Sequence, residues 1–312
     1  MSECILNLLP LKEGEREEFE AIAPDAVHVY SRRTTVTPEQ LAAATVIFGW
    51  PRARDMKHAV SLKWFQAMWA GTDEYMGEGV LPQGITLTSS SGFNRWSVAE
   101  HMLTLTMALC RSIPNYRDQQ REHNWNDLGA MKTICGGTVL VVGAGNIGAT
   151  YAGMCRALGA HTVGVKRTVR GPIEGFDEVR PMAELDELLP IADVVALVVP
   201  HSPESVNLMD ERRIGLMKDD AILISSGRGS VLDQDALVRA MQGGKLWGAG
   251  LDVTVPEPLP EDSPLWDIPN LILTPHVAGG MRLELTRRAC IEAAQDNLRR
   301  WLAGEPLKNR VL

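Results

Sequence analysis

A chain of 312 residues with 45% hydrophobic content holds enough apolar material for two cored domains, or one large one. Its formal net charge of -8 and its scattered Lys and Arg residues argue against a nucleic-acid surface, which carries a basic field or stripe. No stretch approaches a membrane span, and Met1 to Pro10 leads straight into Glu13-Gly14-Glu15-Arg16-Glu17-Glu18, so neither a secretory signal nor a membrane partner is expected.

Short apolar runs alternate with amphipathic segments from the start: Ile5-Leu8, Glu13-Ile22, Val27-Tyr30, Pro38-Ala44 and Val46-Gly49. This is the rhythm of strands and crossover helices, and it predicts an α/β sheet. Ser97 to Arg111, with Val98, Met102, Leu103, Leu105, Met107 and Leu109, is apolar nearly all round and reads as a buried helix bridging two domains. The strand rhythm resumes at Thr138-Val142, Thr162-Val165, Val194-Val199, Ala221-Ser225, Trp247-Val253 and Leu271-Thr274, predicting a second, larger parallel sheet. A last helix, Leu285 to Leu302, is expected to end at Gly304 and to pack back onto the first domain. No low-complexity linker or added module follows it, so a two-lobed enzyme complete in itself is expected.

The five cysteines, Cys4, Cys110, Cys135, Cys155 and Cys290, are odd in number and far apart. That spacing suits neither a disulfide framework nor paired zinc ligands, so no metal is expected and the thiols read as mostly core residues of a cytoplasmic protein. Cys135, beside Gly136-Gly137, has a second reading as a reactive thiol.

The clearest chemistry lies in Val139-Leu140-Val141-Val142-Gly143-Ala144-Gly145-Asn146-Ile147-Gly148, a buried strand entering G-x-G-x-x-G and then a helix. Gly143 permits the tight turn, Gly145 lets the backbone approach a pyrophosphate, and Gly148 lets helix and strand pack closely. The free N–H groups at the helix start, at Asn146 and Ile147, then face the anion. The next strand should end in an acidic residue if the ribose hydroxyls of NAD are to be held. The chain continues instead Lys166-Arg167-Thr168-Val169-Arg170. Cations there suit a 2′-phosphate, so NADP is preferred over NAD, against the alternative of a solvated charge run.

Three polar residues stand where strands give way to loops, which is where open α/β sheets place their sites. Arg228 follows the strand ending Ile224-Ser225 and is flanked by Gly227 and Gly229; it reads either as a bidentate grip for a carboxylate or as an exposed loop arginine. His276, in Leu273-Thr274-Pro275-His276, is a candidate proton donor for carbonyl reduction. Glu257, held between Pro256 and Pro258, would favour the proton-bearing imidazole and fix its tautomer if the two side chains meet.

Taken together, these segments resemble the D-isomer-specific 2-hydroxyacid dehydrogenase family over nearly the whole chain. The glycine fingerprint is followed at family-like spacing by Val199-Pro200-His201-Ser202-Pro203-Glu204, the Arg228 segment, Gly250-Leu251-Asp252-Val253 to Glu257-Pro258, and Thr274-Pro275-His276. Ala70-Gly71-Thr72-Asp73 and Val98-Ala99-Glu100-His101 precede it. The resemblance implies two Rossmann-like lobes: a flavodoxin-like substrate domain from residues 1–97 and 285–312, and a doubly wound dinucleotide-binding domain from 98–284. It implies that Arg228 holds the substrate carboxylate and keto oxygen, that His276 moves the proton, and that Glu257 tunes His276. Asp252 would orient the nicotinamide, Pro200 would join the cofactor site, and the backbone N–H groups of Ala70 and Gly71 would contact the substrate carboxylate. It also implies a homodimer, formed through the cofactor lobe.

Within this resemblance, Glu257 argues against formate dehydrogenases, which pair the histidine with glutamine. The phosphoglycerate branch often appends a regulatory domain, for which this chain offers no segment. The departure at Lys166-Arg167 is similar to the glyoxylate and hydroxypyruvate reductases, so glyoxylate or hydroxypyruvate is the expected substrate. Trp50 and Arg52, on the loop that the resemblance turns toward the substrate side chain, would restrict the pocket to small acids and meet a second anionic group. Either is equally readable as a packing or surface residue. A dinucleotide-binding corepressor-like scaffold with little turnover is the alternative from another class.

Overall fold

The computed structural model describes residues 3–312 and divides the chain into two compact units, Met1–Asn94 with Gly280–Leu312, and Arg95–Gly279. In the first unit, β1 (Cys4–Asn7), β2 (Val27–Tyr30), β3 (Val46–Gly49), β4 (Trp64–Ala67) and β5 (Thr86–Thr88) form one sheet in the order β2-β1-β3-β4-β5, every pairing parallel. Helix α1 (Glu15–Ile22) joins β1 to β2, and α2 (Pro38–Ala43) starts on a capping box in which Thr37 and Gln40 satisfy each other's backbone N–H. Strands β3 and β4 are buried at every residue, as parallel strands covered on both faces must be.

The second unit opens with α3 (Arg95–Cys110), the helix whose all-round apolar sequence suggested a bridge. Its contacts within this unit are to α5, β10 and β11, and α4 (Ile113–Arg121) follows it. Then come β6 (Thr138–Val142), α5 (Asn146–Ala157), β7 (His161–Lys166), β8 (Glu178–Pro181), α6 (Leu185–Leu188), β9 (Val194–Leu197), α7 (Glu211–Leu216), β10 (Ile222–Ser225), α8 (Gln234–Gln242), β11 (Gly248–Leu251) and β12 (Leu271–Leu273). The seven strands lie in the order β12-β11-β10-β9-β6-β7-β8, all parallel. Strand order reverses between β6 and β9, the switch point at which open α/β sheets leave a crevice. Val139, Leu140, Val141 and Val142 of β6 are each 0% exposed, and full burial of such a side chain stabilises by about 1.5–3 kcal/mol.

Four elements escape the sequence pattern: β4, β5, β8 and α4. β4, Trp-Phe-Gln-Ala, is buried at every residue, so Gln66 breaks its apolar pattern without giving an alternation, and β5 has only three residues. β8 is a half-exposed edge strand, Glu-Val-Arg-Pro, whose stabilisation comes from its pairing with β7 rather than from an apolar pattern. α4 carries no buried residue, so it has no apolar stripe to read.

The last helix, α9 (Glu284–Ala303), packs Ile291, Ala294 and Leu298 into the first unit's core with Ile5, Phe19 and Phe48, and stacks Trp301 on Trp64 at 5.5 Å. It stops at Gly304, whose φ of 69° is the left-handed conformation that glycine adopts without strain. The chain then runs antiparallel along β5: Val311 N–H donates to Leu87 O at 2.7 Å and Ser89 N–H to Asn309 O at 3.0 Å, covering that sheet edge.

An ion cluster fixes the start of α9. Arg287, only 6% exposed, donates to Glu15 Oε2 and Oε1 at 2.7 and 2.8 Å and to Glu284 Oε1 at 2.7 Å. The hydrogen bond from Arg287, then that from Lys12, holds the Glu284 carboxyl down to about 2, and Arg287 likewise holds Glu15 below its ordinary value. Folded-state values depressed in this way stabilise above the unfolded carboxylate value of about 4.3 and lose that contribution as pH falls through the folded value. The melting temperature is therefore expected to drop from about pH 5 downward. Arg287→Met should be less stable at neutral pH and flatter in that acid range; a variant with the unchanged acid slope would exclude the cluster as its source.

Candidate active site

Every candidate of the second unit lies at the carboxyl end of a strand. Gly143 follows β6 with φ 117°, and a Cβ there would meet Val198 O at 2.8 Å; at Gly148 a Cβ would collide with Gly143 O. Glycine is required at both positions. At Gly145 a Cβ would meet nothing within 4 Å, so the turn is open on that side. No side chain caps α5 at Gly145, and the first amides of a helix, here Asn146 and Ile147, have no intrahelical acceptor. An open glycine turn and an uncapped helix start make a cradle of the right chemistry for a pyrophosphate.

Lys166 closes β7, and Arg167 and Arg170 follow it on the exposed side. Lys166, Thr168, Arg170 and Ile173 line a hollow of about 300 Å³. Glu204 is held below the ordinary carboxylate value, first by its hydrogen bond with Ser202 and also by the charge of Arg167, so the loop after β9 lies within electrostatic reach of this basic strip. Pro200 stands on that loop, where its carbonyl accepts from Ser205 Oγ at 2.8 Å.

The remaining three strand ends converge. His276 Nδ1 lies 2.8 Å from Glu257 Oε2, and Glu257 Oε1 accepts the Thr254 N–H at 3.1 Å. The imidazole therefore carries its Nδ1 proton toward the carboxylate and leaves Nε2 for a reacting atom. Both side chains are partly open, 48% and 39% exposed. Gln234 at the head of α8 grips Val255 through both backbone polar groups and so steadies the Glu257 loop. Arg228 follows β10, and its Nη1 donates to Gly227 O at 2.9 Å. The next residue, Gly229, is pressed so close to Thr254 that a Cβ would collide with that residue's carbonyl, so the Arg228 and Glu257 loops adjoin. A largely apolar cavity of about 680 Å³ opens on His276, Glu257 and Asp252, walled by Leu259, Trp266 and Leu273.

Asp252 is 2% exposed, and its carboxylate serves the histidine loop: Oδ1 accepts from Thr274 Oγ1 at 2.6 Å and Val277 N–H at 2.9 Å, and Oδ2 from Ala278 N–H at 3.0 Å. Its carbonyl takes the His276 N–H at 2.8 Å, and His276 sits at φ 51°. This anchoring, and the residues Thr254, Gln234 and Thr274 that share in it, are absent from the sequence reading. Only the Thr-Pro-His and Asp-Val motifs hinted that those positions were constrained.

In the first unit, Trp50 and Arg52 follow β3, and Ala70 and Gly71 follow β4. Trp50 is held edge-on between Tyr75 and Trp69, with ring centroids 5.1 and 5.9 Å away. The Tyr75 hydroxyl, pushed up by burial, donates to Pro51 O and fixes the chain beside Trp50. Trp69, unnoticed in the sequence, adds a second indole to this strand end. All five cysteines are free thiols; Cys110, Cys155 and Cys290 are buried and Cys135 is exposed. Among the described residues no helix is long and apolar enough to cross a membrane.

The family model for the NAD binding domain of D-isomer specific 2-hydroxyacid dehydrogenases matches residues 103–278. A glycerate dehydrogenase from Methylorubrum extorquens is 31% identical over 297 residues, covering 89% of this chain and 91% of that protein. The D-3-phosphoglycerate dehydrogenase of Mycobacterium tuberculosis is 33% identical over 299 residues, 95% of this chain but only 53% of that protein, so the chain spans about half the length of those relatives. Among solved structures, a D-isomer specific 2-hydroxyacid dehydrogenase family protein from Aeromonas salmonicida matches with a TM-score of 0.88 at 28% identity, covering 100% of this chain and 99% of that one. A D-isomer specific 2-hydroxyacid dehydrogenase from Xanthobacter autotrophicus, in complex with NADPH and MES, matches with a TM-score of 0.82 at 27% identity over 100% and 98%. Two parallel sheets, a dinucleotide cradle at the switch point and a paired histidine and glutamate thus stand beside these likenesses, and the chain belongs to the D-isomer specific 2-hydroxyacid dehydrogenase family of NAD(P)-dependent oxidoreductases.

Proposed function

We propose that the protein is an NADP(H)-preferring reductase of a small 2-oxo acid to its D-2-hydroxy acid, with glyoxylate or hydroxypyruvate as substrate, working as a homodimer. The observation that carries this reading is the 2.8 Å hydrogen bond between His276 Nδ1 and Glu257 Oε2 at the carboxyl end of a parallel sheet. When bound, the nicotinamide supplies the hydride. His276 Nε2 gives a proton to the carbonyl oxygen as charge develops there, while Glu257 accepts the hydrogen bond from Nδ1–H and offsets the imidazolium charge. Arg228 grips the substrate carboxylate through its fork of donors and stabilises the oxygen.

The cofactor is held by the turn Gly143, Gly145 and Gly148, by the amides of Asn146 and Ile147, and by the neighbouring Pro200 and Asp252. Lys166 and Arg167 receive the 2′-phosphate, a role supported by the basic hollow beside Lys166 and Arg170. In the first unit, Ala70 and Gly71 offer backbone N–H groups to the acid, Trp50 limits its size and Arg52 meets a second anionic group. The homodimer reading is supported by the exposed apolar side chains that the segment 113–131 of the second unit carries, Ile113, Leu128, Met131 and Trp125, the last 99% exposed.

The test follows absorbance loss of NADPH and, separately, NADH with glyoxylate, hydroxypyruvate, pyruvate, phenylpyruvate and oxaloacetate. Rapid NADPH oxidation with one of the small acids is expected. Replacing Lys166 and Arg167 together by alanine should raise the KM for NADPH roughly ten- to hundred-fold, the worth of a lost charge-assisted contact, and leave the KM for NADH nearly unchanged. Faster NADH oxidation by the unaltered protein would overturn the cofactor assignment. Tight nucleotide binding with no turnover on any acid would favour the corepressor-like scaffold instead.

A further inference from the structure

A histidine outside the proposed chemistry reaches into its support. His101, in the middle of α3, places Nε2 at 2.9 Å from Thr274 Oγ1 and 3.6 Å from Asp252 Oδ1, with its side chain 21% exposed. The hydroxyl of Thr274 has a single hydrogen, and its 2.6 Å contact with a carboxylate oxygen that already accepts the Val277 N–H assigns that hydrogen to Asp252. The Thr274 oxygen can then only accept from His101, so Nε2 is the donor and the order of the chain is His101 to Thr274 to Asp252. Asp252 in turn holds both sides of His276: its carbonyl takes the His276 N–H, and its carboxylate takes the next two amides. His276 has a left-handed backbone, φ 51°, a conformation that a residue other than glycine keeps only where its surroundings over-determine it.

We propose that His101 is a positioning residue for His276, acting through Thr274 and Asp252 to keep the imidazole in hydrogen-bond register with Glu257. The proposal rests on the reading of His276 as the proton carrier. The polar contacts of His101 go to Thr274 and Asp252, one step behind His276. Its donor selects the Thr274 rotamer that completes the coordination of Asp252, and the Asp252 carboxylate selects the loop conformation. Without that donor the Thr274 hydroxyl can turn away, the carboxylate loses one of its three donors, and the loop has one restraint fewer against leaving the left-handed conformation.

The experiment compares His101→Leu, which removes the donor, with His101→Gln, which keeps an N–H at similar reach, and with Thr274→Val. Each is measured for melting temperature, NADPH dissociation constant, kcat and KM, and for the ring ¹⁵N signals of His276 in the protein without substrate. His101→Leu is expected to lower kcat roughly ten- to hundred-fold, as small misplacements of a catalytic group do, with little change in KM or NADPH affinity. His101→Gln should recover most of that loss, and combining His101→Leu with Thr274→Val should cost no more than either alone. The His276 ring signals should shift or broaden in His101→Leu and return in His101→Gln. A lower melting temperature with unchanged kcat and unchanged ring signals would overturn the proposal, as would additive losses in the double variant. Should the unaltered protein turn over no 2-oxo acid, the functional reading fails separately, and the ring signals alone then decide: displaced in His101→Leu, they support positioning; unmoved, they refute it. If His101→Leu does not fold, Thr274→Val and His101→Gln carry the same comparison.

Discussion

Replacing His276 by asparagine is expected to lower kcat by roughly 10²–10⁴-fold, the usual contribution of a positioned general acid, while leaving the NADPH dissociation constant nearly unchanged. The prediction follows from where the two ring nitrogens go. Nδ1 is committed to Glu257 at 2.8 Å, so Nε2 is the one atom of the ring left to give a proton to a substrate oxygen. Asparagine can keep a hydrogen bond to Glu257 through its amide NH2 but has no titratable nitrogen to give a proton. Fluorescence titration with NADPH, run beside steady-state kinetics, separates the two effects. Turnover within about a factor of two of the unaltered protein would remove His276 from the chemistry.

Arg228→Ala should be the other severe change, with kcat/KM falling by about 10²–10³-fold, the scale seen when one donor to a developing oxyanion is lost. The side chain stands between Gly227 and Gly229 on a loop held against the backbone of Thr254, so the guanidinium is carried by two adjoining strand ends rather than by a free loop. Arg228→Lys should recover only part of the loss, because an ammonium is a point charge and cannot offer two parallel N–H groups to a carboxylate. Intact turnover in Arg228→Ala, measured with the best 2-oxo acid, would leave the arginine as an ordinary loop residue.

Much of this molecule is written locally. Residues Val139 to Gly148 declare a buried strand, a glycine turn and a helix start because each demand falls on consecutive residues: burial on the valines, a positive φ at Gly143, and a close approach at Gly148. Gly304 announces the end of the last helix for the same reason. Period and punctuation reach only as far as neighbouring turns, and this is why α4, with no apolar stripe, and the edge strand β8 passed unread. β8 is a strand because β7 lies beside it, and nothing within Glu178–Pro181 says so.

The sequence by itself determined the two parallel sheets, the dinucleotide turn and the motif positions of Arg228, Glu257 and His276, since these rest on local backbone demands and on spacing along the chain. Only the tertiary structure decided that Glu257 meets His276, that Asp252 spends its carboxylate on the loop of residues 274–278, and that His101 stands behind Thr274. Those contacts join residues 19, 22, 25, 26 and 173 positions apart, and they exist because β11, β12 and α3 end or pass at one place. A hydrogen bond needs atoms within about 3 Å, and sequence spacing fixes distances of that kind only within a helix turn or a tight loop.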